Sequence, residues 1–205
     1  MVRITLSVRQ EIDKGIDVNK SIIANFVLFQ LGWFACVLGG AYGYPLLGSL
    51  VALVIITYHC YRAPDIVQES RLLLLALIIG LVFESIITSQ GLAIYSNGQL
   101  FDFIAPLWMI LMWPLFATTL NLSMRWMKGL TPILVAIAGA VFAPLAYYAG
   151  NRLGAVSYDD MTVSLSVIAS AWALLLPSLV VMSMKLDGYN TSADKPAVKE
   201  YPQHV

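Results

Sequence analysis

Charge is what this 205-residue chain has least of. Asp, Glu, Lys and Arg make up 12% of it, against about 25% in a soluble domain. The shortage is uneven. Residues 21–61, 103–124, 129–151 and 161–184 contain no Asp, Glu, Lys or Arg, which excludes a water-exposed surface over those stretches. Histidine is scarce too, at 2 residues, too few for the multi-histidine di-iron boxes of membrane desaturases and hydroxylases. No H-E-x-x-H, G-x-x-x-x-G-K-[ST] or G-x-S-x-G occurs, so zinc proteolysis, nucleotide hydrolysis and the nucleophile elbow are excluded. The 12 basic and 12 acidic residues cancel and leave no basic footprint for nucleic acid. The 2 cysteines, Cys36 and Cys60, fall at depths differing by roughly 15 Å at 1.5 Å rise per residue, beyond disulfide reach. They read as small apolar side chains. The residues nominate no catalytic set, metal site or cofactor.

What is abundant is hydrocarbon: 59% of residues are hydrophobic and mean hydropathy is +0.78. A membrane span needs about 20 mostly apolar residues, and the chain supplies that length repeatedly. We expect an all-α, multi-pass bundle of six transmembrane helices at 21–41, 45–61, 72–93, 106–124, 132–152 and 161–184. Pro45, Pro106 and Pro132 suit helix starts, where a missing N–H costs nothing. Pro114, Pro144 and Pro177 fall inside spans, where kinks are expected. The bundle occupies 21–185, between a charged tail at 1–20 and a disordered polar tail at 186–205. Val2, Ile4, Leu6 and Val8 alternate with polar residues in a strand-like period. No strand partner is evident, so a disordered or interfacial tail is expected there. Of the 12 basic residues, only Arg152 falls on the far side of this topology. The positive-inside rule then puts both termini in the cytoplasm.

Glu84 is the only acid inside an expected span. An ionised acid at that depth costs about 2.5–3.5 kcal/mol on insertion scales, so it must face protein or water. Thr88 shares its face at i+4. Glu84 reads as a proton relay, a substrate site or a catalytic acid, or equally as a structural anchor. Arg152 is its candidate partner, with Tyr148 one turn below, or else a headgroup anchor. Asn25, Gln30 and Trp33 on the first span read as packing glue or ligand contacts. Asn121, with Thr118, Thr119 and Ser123, makes the inner half of the fourth span polar, and with Asn25 suggests a cytoplasm-facing cavity. Trp108, Trp113 and Trp126 fall near span ends and read as interface anchors, Trp172 as a deeper packing or pocket residue. His59 reads as interfacial, and His204 lies in the tail. Gly32, Cys36 and Gly40, like Ala136 with Ala140 and Gly139 with Ala143, repeat at four-residue spacing and allow close helix approach in lipid. Those rows serve either a membrane-protein partner or packing within the bundle.

Three strings carry a family resemblance. Asn-Phe-Val-Leu-Phe-Gln-Leu-Gly-Trp-Phe-Ala-Cys-Val-Leu-Gly fills 25–39, Pro106-Leu107-Trp108 precedes Trp-Pro-Leu-Phe-Ala-Thr-Thr-Leu-Asn at 113–121, and Ala-Pro-Leu-Ala-Tyr at 143–147 precedes Gly150 and Gly154. Over about 22–185 the chain resembles the bacterial inner-membrane family called domain of unknown function 2878. The first 20 residues read as an addition to that family's core. The resemblance implies a compact helical membrane protein of a Gram-negative bacterium, whose gene is expected to neighbour genes for fatty-acid-modifying enzymes and photo-oxidative-stress proteins. It carries no activity, hence no catalytic residues. Three functions stay open. One is a non-catalytic accessory factor in membrane-lipid modification or envelope stress. Another is a small transporter or solute-binding subunit, with Glu84, Gln30, Trp33 and Arg152 as ligand contacts. The third is an intramembrane enzyme using Glu84.

Overall fold

The computed structural model describes residues 2–190, with side chains from Asn19 onward. Six α-helices carry the fold: α1 (Val2–Ala41), α2 (Pro45–Arg62), α3 (Ile66–Ser89), α4 (Leu107–Leu120), α5 (Pro132–Arg152) and α6 (Met161–Lys185). Among the described residues, five helices are long and apolar enough to cross a membrane: 19–41 of α1, then α2, α3, α5 and α6. Their outward faces are hydrocarbon, with Leu46, Leu74, Phe142 and Leu174 all exposed. That is the pattern expected where lipid, not water, is the solvent.

Four expectations are corrected. The fourth span is expected over 106–124, but α4 stops at Leu120 after 14 residues, about 21 Å at 1.5 Å per residue. That is short of the ~30 Å hydrocarbon core. The Thr118 and Thr119 hydroxyls bond back to the Leu115 and Phe116 carbonyls at 2.7 and 2.6 Å, and turns lead into a short 3-10 helix at Arg125–Gly129. A short helix is tolerated because α4 is sheathed by its neighbours, with Trp108, Leu111, Trp113, Leu115 and Leu120 all buried. The third helix begins at Ile66, not 72, because Asp65 caps it, its carboxylate accepting from the Val67 and Gln68 N–H groups at 3.1 Å each. At the N-terminus α1 runs unbroken from Val2, so 2–20 is helical. The span already supplies the costly helix nucleus, and adding residues to it is cheap. The chain is also not purely helical. β1 (Ile94–Tyr95) pairs antiparallel with β2 (Val156–Ser157), Ile94 opposite Ser157 and Tyr95 opposite Val156. Residues 186–190 fold back onto the bundle, and 191–205, including His204, lie outside the described residues. Both cysteines are free.

The helices form two groups. α1 to α4 pack closely on one another, while α5 and α6 make a hairpin whose main partner is itself. Small residues create both sets of contacts. Gly32, Cys36 and Gly40 are buried. A Cβ on Gly32 would press on Leu115 and Ile55, and one on Gly40 on the Trp108 ring. That row is therefore occupied by α2 and α4 of the same chain. Gly139 lies against the Trp172 backbone of α6. The hairpin is held to the larger group chiefly at its two ends. At one end is the β1–β2 ladder, extended by Ser96 N–H to the Ala155 carbonyl at 3.1 Å. At the other is a polar cluster built around residues 186–190.

Candidate functional site

Glu84 lies on α3 with none of its surface exposed. Three neutral donors from three other elements converge on it. Trp113 Nε1 of α4 donates to Oε1 at 2.8 Å, Tyr95 OH of β1 donates to Oε2 at 2.8 Å, and Tyr147 OH of α5 donates to Oε1. Gly80 makes this possible. It lies one turn before Glu84 on the same face, and a Cβ there would overlap the Trp113 indole. Tyr158 OH in turn holds the Tyr147 carbonyl at 3.2 Å. Burial, and then the Glu84 carboxylate, push the Tyr95 and Tyr158 hydroxyls above their usual pKa. Both tyrosines therefore stay protonated as donors across the physiological range. Both side-chain oxygens are thus met by donors, which is how a buried polar group is accommodated without a cation.

The Glu84 hub borders a cavity of about 520 Å³ between α1 and α4 on one side and α5 and α6 on the other. Its walls are hydrocarbon and ring: Phe29, Trp113, Phe116 and Trp172 with Met109 and Met112. Trp172 stacks on Trp113 with ring centroids 4.8 Å apart, and Phe116 meets Trp172 edge-on at 5.7 Å. Along α5 the lining runs from Ala138 to Gly150, about 18 Å at 1.5 Å per residue. The cavity is therefore elongated along the helix axes. Phe26 of α1 and Phe142 of α5 line it while remaining 53% and 67% exposed, which marks a mouth on the lateral face.

The residues singled out from sequence part company here. Glu84 is the hub, and Gln30 and Trp33 line the same cavity. Thr88 does not touch the carboxylate, since its hydroxyl returns to the Glu84 carbonyl at 2.6 Å. Arg152 is exposed and makes no ion pair with Glu84. It ends α5 beyond the cavity, where its charge stays solvated. Tyr148 is 42% exposed and faces outward. Its neighbour Tyr147, about 100° round the helix, is the donor. The sequence signal for Tyr147 is its place on the small-residue row of Gly139 and Ala143. Asn25 is structural, donating to the Thr118 carbonyl at 3.2 Å and accepting from Ser123 Oγ at 2.6 Å. Trp108 and Trp113 are buried inside the bundle instead of anchoring at the interface, Trp108 Nε1 donating to the Asn97 carbonyl at 3.0 Å. Trp126 is 60% exposed.

Asn121 and His59 belong to a second cluster that sequence reasoning missed, at the end where α2 stops and α3 starts. Its centre is Glu69, fully buried on the first turn of α3. Glu69 Oε1 bonds His59 Nε2 at 2.7 Å, and Oε2 accepts from Asn121 Nδ2 at 2.7 Å and Gly188 N–H at 3.1 Å. Asn121 Oδ1 accepts from Lys128 Nζ at 2.6 Å, and Lys128 and Arg125 both pair with Asp187, at 2.8 and 2.9 Å. Tyr189 OH donates to the His59 carbonyl at 2.8 Å. Burial lowers the Lys128 pKa, opposed by its bond to Asp187. Burial and then Glu69 raise that of Tyr189. His59 is thus paired and enclosed, not interfacial. The surviving sequence signal was Asp65, a cap whose helix had to include Glu69. Among the described residues no three His, Cys, Asp or Glu side chains form a metal-binding group.

One family model matches the chain, over residues 22–178, and describes a protein of unknown function, DUF2878. No curated protein and no solved structure matches it.

Proposed function

The chain belongs to the DUF2878 family of proteins of unknown function, and on that footing we propose that it is an intramembrane binding protein for the hydrocarbon part of a lipid-like molecule. It would serve as an accessory factor in membrane-lipid modification or envelope stress. The observation that carries this reading is the elongated cavity of about 520 Å³ opening between Phe26 and Phe142. Five of the helices around it are membrane-length or close-packed with those that are, so its mouth faces acyl chains. Its ring-and-thioether lining suits an apolar occupant held by dispersion and burial. A hydrophilic solute would leave its polar groups unpaired against those walls, which sets the reading apart from a polar-solute transporter subunit. The enzyme reading has less support. Both Glu84 oxygens already accept from ring donors, which suits an anchor better than a proton-transfer group. We place the protein in a bacterial inner membrane with both termini cytoplasmic, on the strength of Arg62, Arg71, Arg125, Lys128 and Lys185 at one end of the bundle and Arg152 at the other.

The test uses tryptophan emission. Trp33, Trp113 and Trp172 line the cavity, so a brominated fatty alcohol bound there quenches them. Titrated into the detergent-solubilised protein, it should quench saturably at one site per chain. Ala146, exposed at the cavity edge, offers a way to block the site without overpacking a core. Ala146→Phe should weaken binding about tenfold or more, which corresponds to roughly 1.4 kcal/mol. Unsaturable quenching, the same in both proteins, would mean that the probe is partitioning into detergent and that the cavity is not a binding site.

A further inference from the structure

Resting on that reading of the cavity, we propose that Gln30 and Trp33 recognise a hydrogen-bond acceptor set within the ligand's hydrocarbon chain, so that the cavity prefers a chain functionalised near its middle to a plain one. The membrane-length part of α1 runs from Asn19 to Ala41, and Gln30 is its central residue. Trp33 follows at i+3, on the same face and one turn further along. Both side chains line the cavity. Neither the Gln30 amide nor the Trp33 indole N–H has a hydrogen bond among the described residues.

Most other polar groups around the cavity are engaged; the Trp126 indole, which also lines it without a hydrogen bond among the described residues, belongs to the 3-10 helix at one end and is 60% exposed. Glu84 accepts from Trp113, Tyr95 and Tyr147. Thr119 Oγ1 donates to the Phe116 carbonyl at 2.6 Å, and Ser123 Oγ to Asn25 at 2.6 Å. Trp172 Nε1 also lacks a partner, but it is sealed within the wall and presents no surface to the cavity. Gln30 and Trp33 are therefore the available polar pair at mid-depth. Both offer N–H groups, and an amide left without a partner in hydrocarbon is costly. A matching acceptor on the occupant removes that cost. The lining continues to Val37 on one side of the pair and Phe26 on the other, so hydrocarbon must extend both ways from the acceptor. The class that fits is a long chain bearing a mid-chain carbonyl, ether or hydroxyl oxygen. An unbroken acyl chain leaves the pair unsatisfied, and a compact polar head leaves the cavity's length unfilled.

The experiment compares methyl stearate with a mid-chain methyl ketostearate, each displacing the brominated alcohol from the full-length protein in detergent. Wild type should bind the ketone about tenfold more tightly, the step set by one good hydrogen bond of roughly 1.4 kcal/mol. Gln30→Leu should remove most of the ketone preference, the remainder being lost when Trp33→Phe is added, and should leave the plain ester unchanged or slightly tighter. Trp33→Phe should narrow the preference without abolishing chain binding. Equal binding of the two esters by wild type, or a ketone preference undiminished in Gln30→Leu, overturns the assignment while leaving the cavity reading intact. Failure of both esters to displace the probe overturns the cavity reading and this inference together. Measuring plain-ester binding for each variant separates a lost hydrogen bond from a lost fold.

Discussion

Glu84 holds three ring donors at one point in a hydrocarbon interior, and those donors come from α4, β1 and α5. Removing its carboxylate strands all three. Each buried donor left without an acceptor costs about 1–3 kcal/mol, so Glu84→Ala should lower stability by about 3 kcal/mol or more. Glu84→Gln keeps an acceptor oxygen and should cost less. Thermal unfolding in detergent reads both, and a Glu84→Ala protein that melts with wild type would show that the hub does not hold the helices. The adjacent tyrosines supply an internal control. Tyr147→Phe removes a buried bond, whereas Tyr148→Phe changes an outward-facing group and should stay within about 0.5 kcal/mol.

At the scale of elements, the polar cluster joins the end of α2, the start of α3, the 3-10 helix and the segment after α6. Its titration follows from the environments of Tyr189 and Lys128. Tyr189 has its pKa raised in the fold by burial and by Glu69. Its stabilisation is therefore full below the unfolded value near 10 and is lost as pH rises through the folded one. Lys128 has its pKa lowered by burial, so its penalty is relieved as pH climbs through the lowered value toward the usual 10.5. Unfolding followed against pH should show stability falling above about 10, and Tyr189→Phe should flatten that fall. An unchanged alkaline slope in Tyr189→Phe would assign the loss to Tyr95 and Tyr158, which are raised in the same direction. The element boundaries have similarly local causes. Asp65 starts α3 six residues before the hydrophobic run suggested. The back-bonded Thr118 and Thr119 mark where α4 gives way to turns.

For the whole molecule, the two helix groups and their end staples explain why a cavity exists. The β1–β2 ladder and the Asp187 pairs hold the α5–α6 hairpin at its ends, and small residues such as Gly139 and Ala143 leave space between. Orientation is tested at the same scale. The chain's basic residues concentrate at the end where residues 186–190 return, so a fluorescent reporter fused at the C-terminus should fold and emit, and a periplasm-dependent phosphatase there should be inactive. The opposite pair of results would invert the topology.

The hydrophobic runs alone determined the helical class and the presence of six helices, because a helix satisfies its own backbone in lipid, but not the length of the fourth, where 103–124 carries no charge and α4 still stops at Leu120. They also exposed Glu84, since an acid stands out against such a background. Gln30 and Trp33 were visible for the same reason. What filled the space around these residues was settled only by the tertiary structure. Tyr147 and Tyr148 are indistinguishable as a dipeptide, and only the contact of α5 with α3 decides which one reaches Glu84. Glu69 looks like a loop acid until α2, α4 and the returning C-terminal segment enclose it. Gln30, Trp33 and Trp172 hint at a pocket one residue at a time, but the shape and lateral mouth of the cavity have no sequence signature. The cavity is the gap left where two groups of helices are fastened at their ends, and its existence depends on how those groups pack.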